Sequence, residues 1–234
     1  MPTPLTIFTV IFLCFRRGQL VPGDKQSLDH RIGQQQIRQA ALGVIHNPLY
    51  SRPARIFTCP DPASIQSTVF FLGEVINHGR PTIDEEQPTL DLGSLSEFEQ
   101  RHIYGLESKD DHLGAKNQIT TKELITTFPL CRELRGRLTA FMLTITKQLV
   151  EEAQDSLEAK KTLRELSARE RTKCVLLFGP SPFVDLGGPS PETISKLLPG
   201  AGVAYTCVME TFTEDGRVWK HRYRITKAEH LPLR

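Results

Sequence analysis

Eleven residues near the start of the chain, Leu5-Thr-Ile-Phe-Thr-Val-Ile-Phe-Leu-Cys-Phe15, constrain it more than any other segment. As a helix the run would rise only about 16 Å, well short of the roughly 30 Å hydrocarbon core of a bilayer. As a strand it is apolar on both faces, the mark of an inner strand covered on each side. It also has the length of a signal-peptide core. Yet no Lys or Arg precedes it, it is rich in Phe and β-branched residues, and Arg16-Arg17 stands where small cleavage-site residues belong. No N-x-S/T sequon occurs anywhere. The expectation is a buried strand in an intracellular protein, cytoplasmic or at a membrane face. A cleaved leader over residues 1–17 would instead make the protein secreted.

Downstream, Asp24 is a candidate N-cap, and Leu28, Ile32, Ile37, Ala41, Val44 and Ile45 recur at helical spacing, predicting a helix over residues 25–45 that Asn47-Pro48 ends. Residues 55–59 and 67–76 read as strands, each stopped by a Pro-containing turn. Residues 80–120 are acidic and polar and are expected to be flexible, with a short helix begun by the Ser96/Glu99 capping spacing; Thr120 and Glu123 open another. The strongest helical stripe covers residues 130–171. At 1.5 Å per residue it would reach about 60 Å, so it either breaks or projects. Residues 173–178 form an unbroken apolar strand. Ser190-Pro191-Glu192 starts a helix that Pro199-Gly200 ends. Residues 203–212 and 217–226 form a hairpin closed by Asp215-Gly216. The whole of residues 1–234 is expected to be one α+β domain. Its sheet would be mixed and mainly antiparallel, with a C-terminal hairpin, packed against several helices including one long one.

The net charge of +2 is too small to imply nucleic acid or an anionic membrane. Its distribution is uneven, however. Lys220, Arg222 and Arg224 share one face of the last strand, with Arg217 and Lys227 at its ends; Trp219, His221, Tyr223 and Ile225 take the other face. These five cations are the candidate anion-binding residues, for lipid headgroups or a phosphate backbone. The competing reading is a solvated face partnered by acids such as Glu210. On the long helix Phe141, Met142, Ile145, Leu149, Leu157, Leu163 and Leu166 are the candidate self-association residues, giving a homo-oligomer.

No motif carries readable catalysis. The five cysteines (14, 59, 131, 174, 207) never form CxxC, so neither a disulfide framework nor a zinc site is expected, and four lie in apolar runs as buried hydrophobes. Cys131 to Arg137 matches a bare C-x5-R pattern, but inside a helix whose amides are already used. The glycine-rich stretch from Gly179 to Gly188 lacks Walker and dinucleotide spacing, and its prolines remove amide donors. Glu99 with His102, and Asp110-Asp111-His112, are metal-capable residues without a partner set. Asn47-Pro-Leu-Tyr50 has the NPxY form of an adaptor turn. His30, His46, His78, His221 and His230 build no triad that sequence can link. No catalytic residue, metal or cofactor is expected. The reading that results is a non-enzymatic structural or assembly protein, viral matrix-like in profile, that self-associates and meets an anionic surface. A protein-binding adaptor or regulatory module, and an enzyme whose site assembles only in three dimensions, are the alternatives.

Overall fold

In a computed structural model of the chain, the described residues are 5–24, 26–47, 50, 53–78, 129–157, 162–180, 199–214 and 217–231. β1 (Leu5–Arg16) is the middle strand of a five-stranded sheet ordered β2-β3-β1-β4-β5. It runs parallel to β3 (Thr172–Gly179) and antiparallel to β4 (Gly202–Glu214). β2 (Pro53–Thr58) is parallel to β3, and β5 (Arg217–Leu231) antiparallel to β4. The sheet is mixed, as expected, and its four pairings divide evenly between the two senses.

Both faces of β1 are covered, as its composition demanded. Phe8, Val10, Phe12 and Cys14 face α3 (Pro129–Asp155) through Leu134, Leu138, Met142, Ile145 and Leu149. Leu13 and Phe15 face α1 (Ile32–Ile45) and α2 (Pro62–Asn77) through Ile37, Ala41, Val44 and Phe71. On that second face the rings of Phe15, Phe71 and Phe178 close a three-membered cluster, with centroids 5.0–5.5 Å apart. Cys14, Cys59, Cys174 and Cys207 are buried free thiols, as expected. Among the described residues no helix is long and apolar enough to cross a membrane.

Three elements differ from expectation, each for a physical reason. α1 starts at Ile32, seven residues late. Before it the chain folds back through a Leu20–Leu28 bridge, and Gly18 approaches Gly33 so closely that a Cβ on Gly18 would lie 2.5 Å from the Gly33 carbonyl oxygen. The Asp24 carboxylate accepts from the nearby Ser27 and Gln26, holding the turn before the helix rather than its start. Asp29 accepts from Arg31 N–H and Ile32 N–H at the real helix start. Residues 67–76, read as a strand, are helical. Asp61 caps α2 by accepting Ser64 N–H at 3.0 Å, Pro62 sits at the first helical position, and the Ser67 and Thr68 hydroxyls donate back to the Ala63 and Ser64 carbonyls. An outer face of Ile65, Val69, Phe70 and Ile76 stays exposed, which erased the amphipathic signal.

The long helix breaks rather than projects. α3 ends at Asp155, and a short 3-10 turn, Leu163–Glu165, follows after residues outside the described set. The residues expected to form an oligomer seam are spent on the molecule's own core: Met142, Ile145, Leu149 and Leu163 are buried, with Phe141, Leu157 and Leu166 packed against them.

The hairpin forms where expected and runs longer. Tyr223 and Ile225 of β5 pack onto the core. On the outer face Arg224 grips Glu210 through two bonds of 2.8 and 2.6 Å, and Arg222 lies opposite Glu210 in register. Lys227 pairs with Glu229. The side chains of Arg217 and Trp219 lie outside the described set. The cations lie on an edge strand, where charge discourages pairing with another sheet, and two of the five expected anion-binding residues, Arg224 and Lys227, are paired within the hairpin.

Two outcomes follow. Leu149→Ala should lower unfolding free energy by about 2–5 kcal/mol in denaturant titrations. That loss should not change with protein concentration; a small, concentration-dependent loss would restore the oligomer seam. The Arg224 guanidinium also holds the Glu210 carboxyl below its ordinary value. A lowered folded-state value stabilises the fold above the carboxylate range and loses that contribution as pH falls through it. Glu210→Gln should therefore cost about 1 kcal/mol or less at neutral pH, Arg224 being 43% exposed. It should also flatten the acid limb of a stability–pH profile.

Candidate functional site

Because β1, β2 and β3 are parallel, their C-terminal ends meet at one edge of the sheet, the edge at which open α/β sheets place ligands. Register sets Arg16 beside Gly179, and Thr58 beside Phe178. Backbone bonds carry this alignment past the strands: Arg17 N–H donates to the Gly179 carbonyl at 3.0 Å and Cys59 N–H to the Phe178 carbonyl at 2.8 Å. Gly200, with φ of +77°, turns its N–H onto the carbonyls of both Arg16 and Arg17 at 3.2 Å. A side chain there would be strained, and its Cβ would meet Gln36 at 2.6 Å.

This framework holds two adjacent arginines almost out of water, Arg16 at 4% and Arg17 at 2% exposure. Arginine is rarely so buried unless it is partnered. Arg17 Nη1 donates to Asp61 Oδ1 at 2.9 Å. That same oxygen accepts Ser64 N–H, so the residue that starts α2 also neutralises the end of β1. Among the described residues, Asp61 Oδ2 and the fully buried Ser64 Oγ have no hydrogen-bond partner. The next residue along the chain is tied in as well, with Gly18 N–H donating to Ser67 Oγ at 3.2 Å. Cys59, close by in sequence, offers no thiolate: burial pushes its thiol well up, with a smaller push from Asp61.

The side chains singled out in the sequence lie elsewhere. The C-x5-R pattern is inside α3, where Arg137 pairs with Glu133. Gly179 ends β3, and the rest of the glycine-rich stretch lies outside the described residues, as do Glu99, His102, Asp110, Asp111 and His112. Among the described residues no group of three metal-capable side chains forms. Tyr50 closes a turn onto the Asn47 carbonyl and packs its ring on the α1–α2 side of the core, which raises its hydroxyl pKa. His30 is exposed beside Gln34, His78 meets the Glu74 carbonyl at the end of α2, and His221 meets Thr211. A cleft of about 560 Å³ near the start of β1 is lined by Ile7, Leu157, Leu163, Met209, Arg164 and His221 among others. Its one cationic lining residue, Arg164, is exposed, and it lacks the converging buried charge of the strand-end cluster.

Sequence reasoning passed over Arg16, Arg17, Asp61 and Ser64. Two signals pointed to them. Paired cations end the most deeply apolar strand, and Asp61-Pro62 has the form of a helix start, the same form recognised at Ser190-Pro191.

No family model and no curated protein sequence matches the chain. Solved structures do. A phosphoglycerate mutase from Bacillus anthracis str. Sterne aligns over 94% of this chain and 92% of its own, at 10% identity and a TM-score of 0.51. A mycobacterial glucosyl-3-phosphoglycerate phosphatase complexed with VO3 aligns over 92% and 96%, at 12% identity and a TM-score of 0.40. The expectation of a non-enzymatic structural or assembly protein, with membrane and nucleic-acid association, is corrected by this likeness: the backbone resembles that of a solved phosphoglycerate mutase, Arg224 is paired with Glu210, and the apolar stripe invoked for self-association packs into the chain's own core. The chain is similar in fold, over nearly its whole length, to a phosphoglycerate mutase.

Proposed function

We propose that this protein is an enzyme of phosphate-ester chemistry whose anion site is the arginine cluster at the C-terminal ends of β1, β2 and β3. The observation that carries the reading is the burial of Arg16 and Arg17 at that edge. A planar guanidinium presents parallel N–H donors that match the oxygens of a phosphoryl group, and it keeps its charge at any working pH. In a site shielded from water, such a charge stabilises the oxygens of a transferring phosphoryl group far better than it would in solution. The fold likeness to a phosphoglycerate mutase supports a small phosphorylated hydroxy acid as the kind of substrate.

Local chemistry limits how the site would work. With the Cys59 thiol held protonated, the thiolate route is closed: a water oxygen attacks phosphorus, the P–O ester bond breaks, and the water's proton passes to the departing alkoxide, while the Ser64 hydroxyl donates to a phosphoryl oxygen. Arg17, paired with Asp61 in the ligand-free molecule, binds the phosphoryl oxygens; Arg16 and the Gly200 turn fix the strand end from which it projects.

The test is turnover of small phosphate monoesters, phosphoglycerate and p-nitrophenyl phosphate among them, by the purified full chain. Arg17→Lys should lower kcat/KM by about tenfold and Arg17→Ala by about a hundredfold or more. If no monoester is turned over and inorganic phosphate does not raise the melting temperature, the reading is wrong.

A further inference from the structure

The way Asp61 fills the strand-end site points to regulation of that site, and so rests on the reading above. One carboxylate oxygen, Oδ1, does two jobs, taking Arg17 Nη1 at 2.9 Å and Ser64 N–H at 3.0 Å. Among the described residues the other oxygen meets no donor, and the Ser64 hydroxyl, fully buried in the first turn of α2, has no partner. A buried hydroxyl and a buried carboxylate oxygen left unmatched cost free energy in any fold that could satisfy them. The carboxylate has the right charge for the position and the wrong shape.

We infer that the Asp61 carboxylate is an internal stand-in for the phosphate of the ligand: it occupies the anion position between Arg17 and the N-terminal turn of α2, and an incoming phosphate group displaces it. A phosphoryl group carries three terminal oxygens. They can accept from the Arg17 fork, the Ser64 N–H and the Ser64 hydroxyl together, where the carboxylate meets only the first two. The helix terminus favours either anion, and its dipole does not choose between them. Exposure indicates the order of the pair. Asp61 keeps 14% of its side-chain surface and Arg17 only 2%, so of the two side chains that of Asp61 lies nearer the surface, although its Oδ2 is itself shielded from water. The ligand reaches Arg17 by taking the place of Asp61, which rotates outward.

Displacement subtracts from affinity, because the ligand competes with a tethered anion present in every molecule. Removing the charge while keeping the cap should therefore tighten phosphate binding. Asp61→Asn does this, since Asn caps a helix about as well as Asp. Inorganic phosphate is titrated into wild-type and Asp61→Asn full-length protein, with thermal unfolding as the readout. The expected result is a larger rise in melting temperature for the variant, corresponding to a dissociation constant at least about tenfold lower than that of wild type. Adding Arg17→Ala should abolish the gain. Equal responses from the two proteins, or a weaker one from the variant, overturn the stand-in role and leave the phosphate site intact. No response from either removes the phosphate site, and this inference with it. Should the Asn variant fail to fold, Asp61→Ser, which also keeps a good cap, makes the same comparison.

Discussion

Removing a guanidinium from water costs several kcal/mol unless a counter-charge and hydrogen bonds meet it, and Arg17 is removed almost completely. The answer the chain supplies is Asp61, forty-four positions away in sequence. Because Asp61 is also the cap of α2, the ion pair fixes where that helix begins relative to the central strand. Gly18 then meets Ser67, and Leu28 N–H meets Gln66 Oε1 at 2.9 Å, so the segment between β1 and α1 is laid along α2. One buried pair thus sets the geometry of a strand end, a helix start and the turn between them.

Much of the sheet was legible because its signals are local and one-dimensional. β1 and β3 are apolar runs of strand length, and the sequence of the hairpin strands alternates on either side of an Asp-Gly pair. α2 was not legible. Its segment, with Thr68, Val69, Phe70 and Phe71 in succession, reads as β by composition, and its exposed apolar side removes the 3.6-residue contrast a helix normally shows. What decides the matter is Asp61-Pro62, a cap followed by a residue pre-set for the first turn, together with hydroxyls that bond to carbonyls four residues back. The end of α3 was illegible for a different reason. The stripe continues through Leu157, Leu163 and Leu166, but those side chains reach the core from a turn after the helix has ended.

The site was visible and misread. Arg16-Arg17 entered the argument only as an obstacle to a leader peptide, although a cation pair closing an inner strand must be buried, and a buried cation demands an explanation. The hairpin drew attention instead because its charges lie together in sequence. Their partners are set by cross-strand register, with Glu210 opposite Arg222 and diagonal to Arg224, and register is not written in composition. Charge density along a strand drew attention away from charge position at the end of another.

The ring cluster of Phe15, Phe71 and Phe178, whose Phe15 immediately precedes Arg16 along β1, joins β1, β3 and α2 in tight packing. Rings at this density resist sliding, and a helix anchored through one of them has little freedom to swing outward. Accommodation of a guest at the rim is thereby left to single side-chain torsions, on the timescale of rotamer exchange rather than of domain motion.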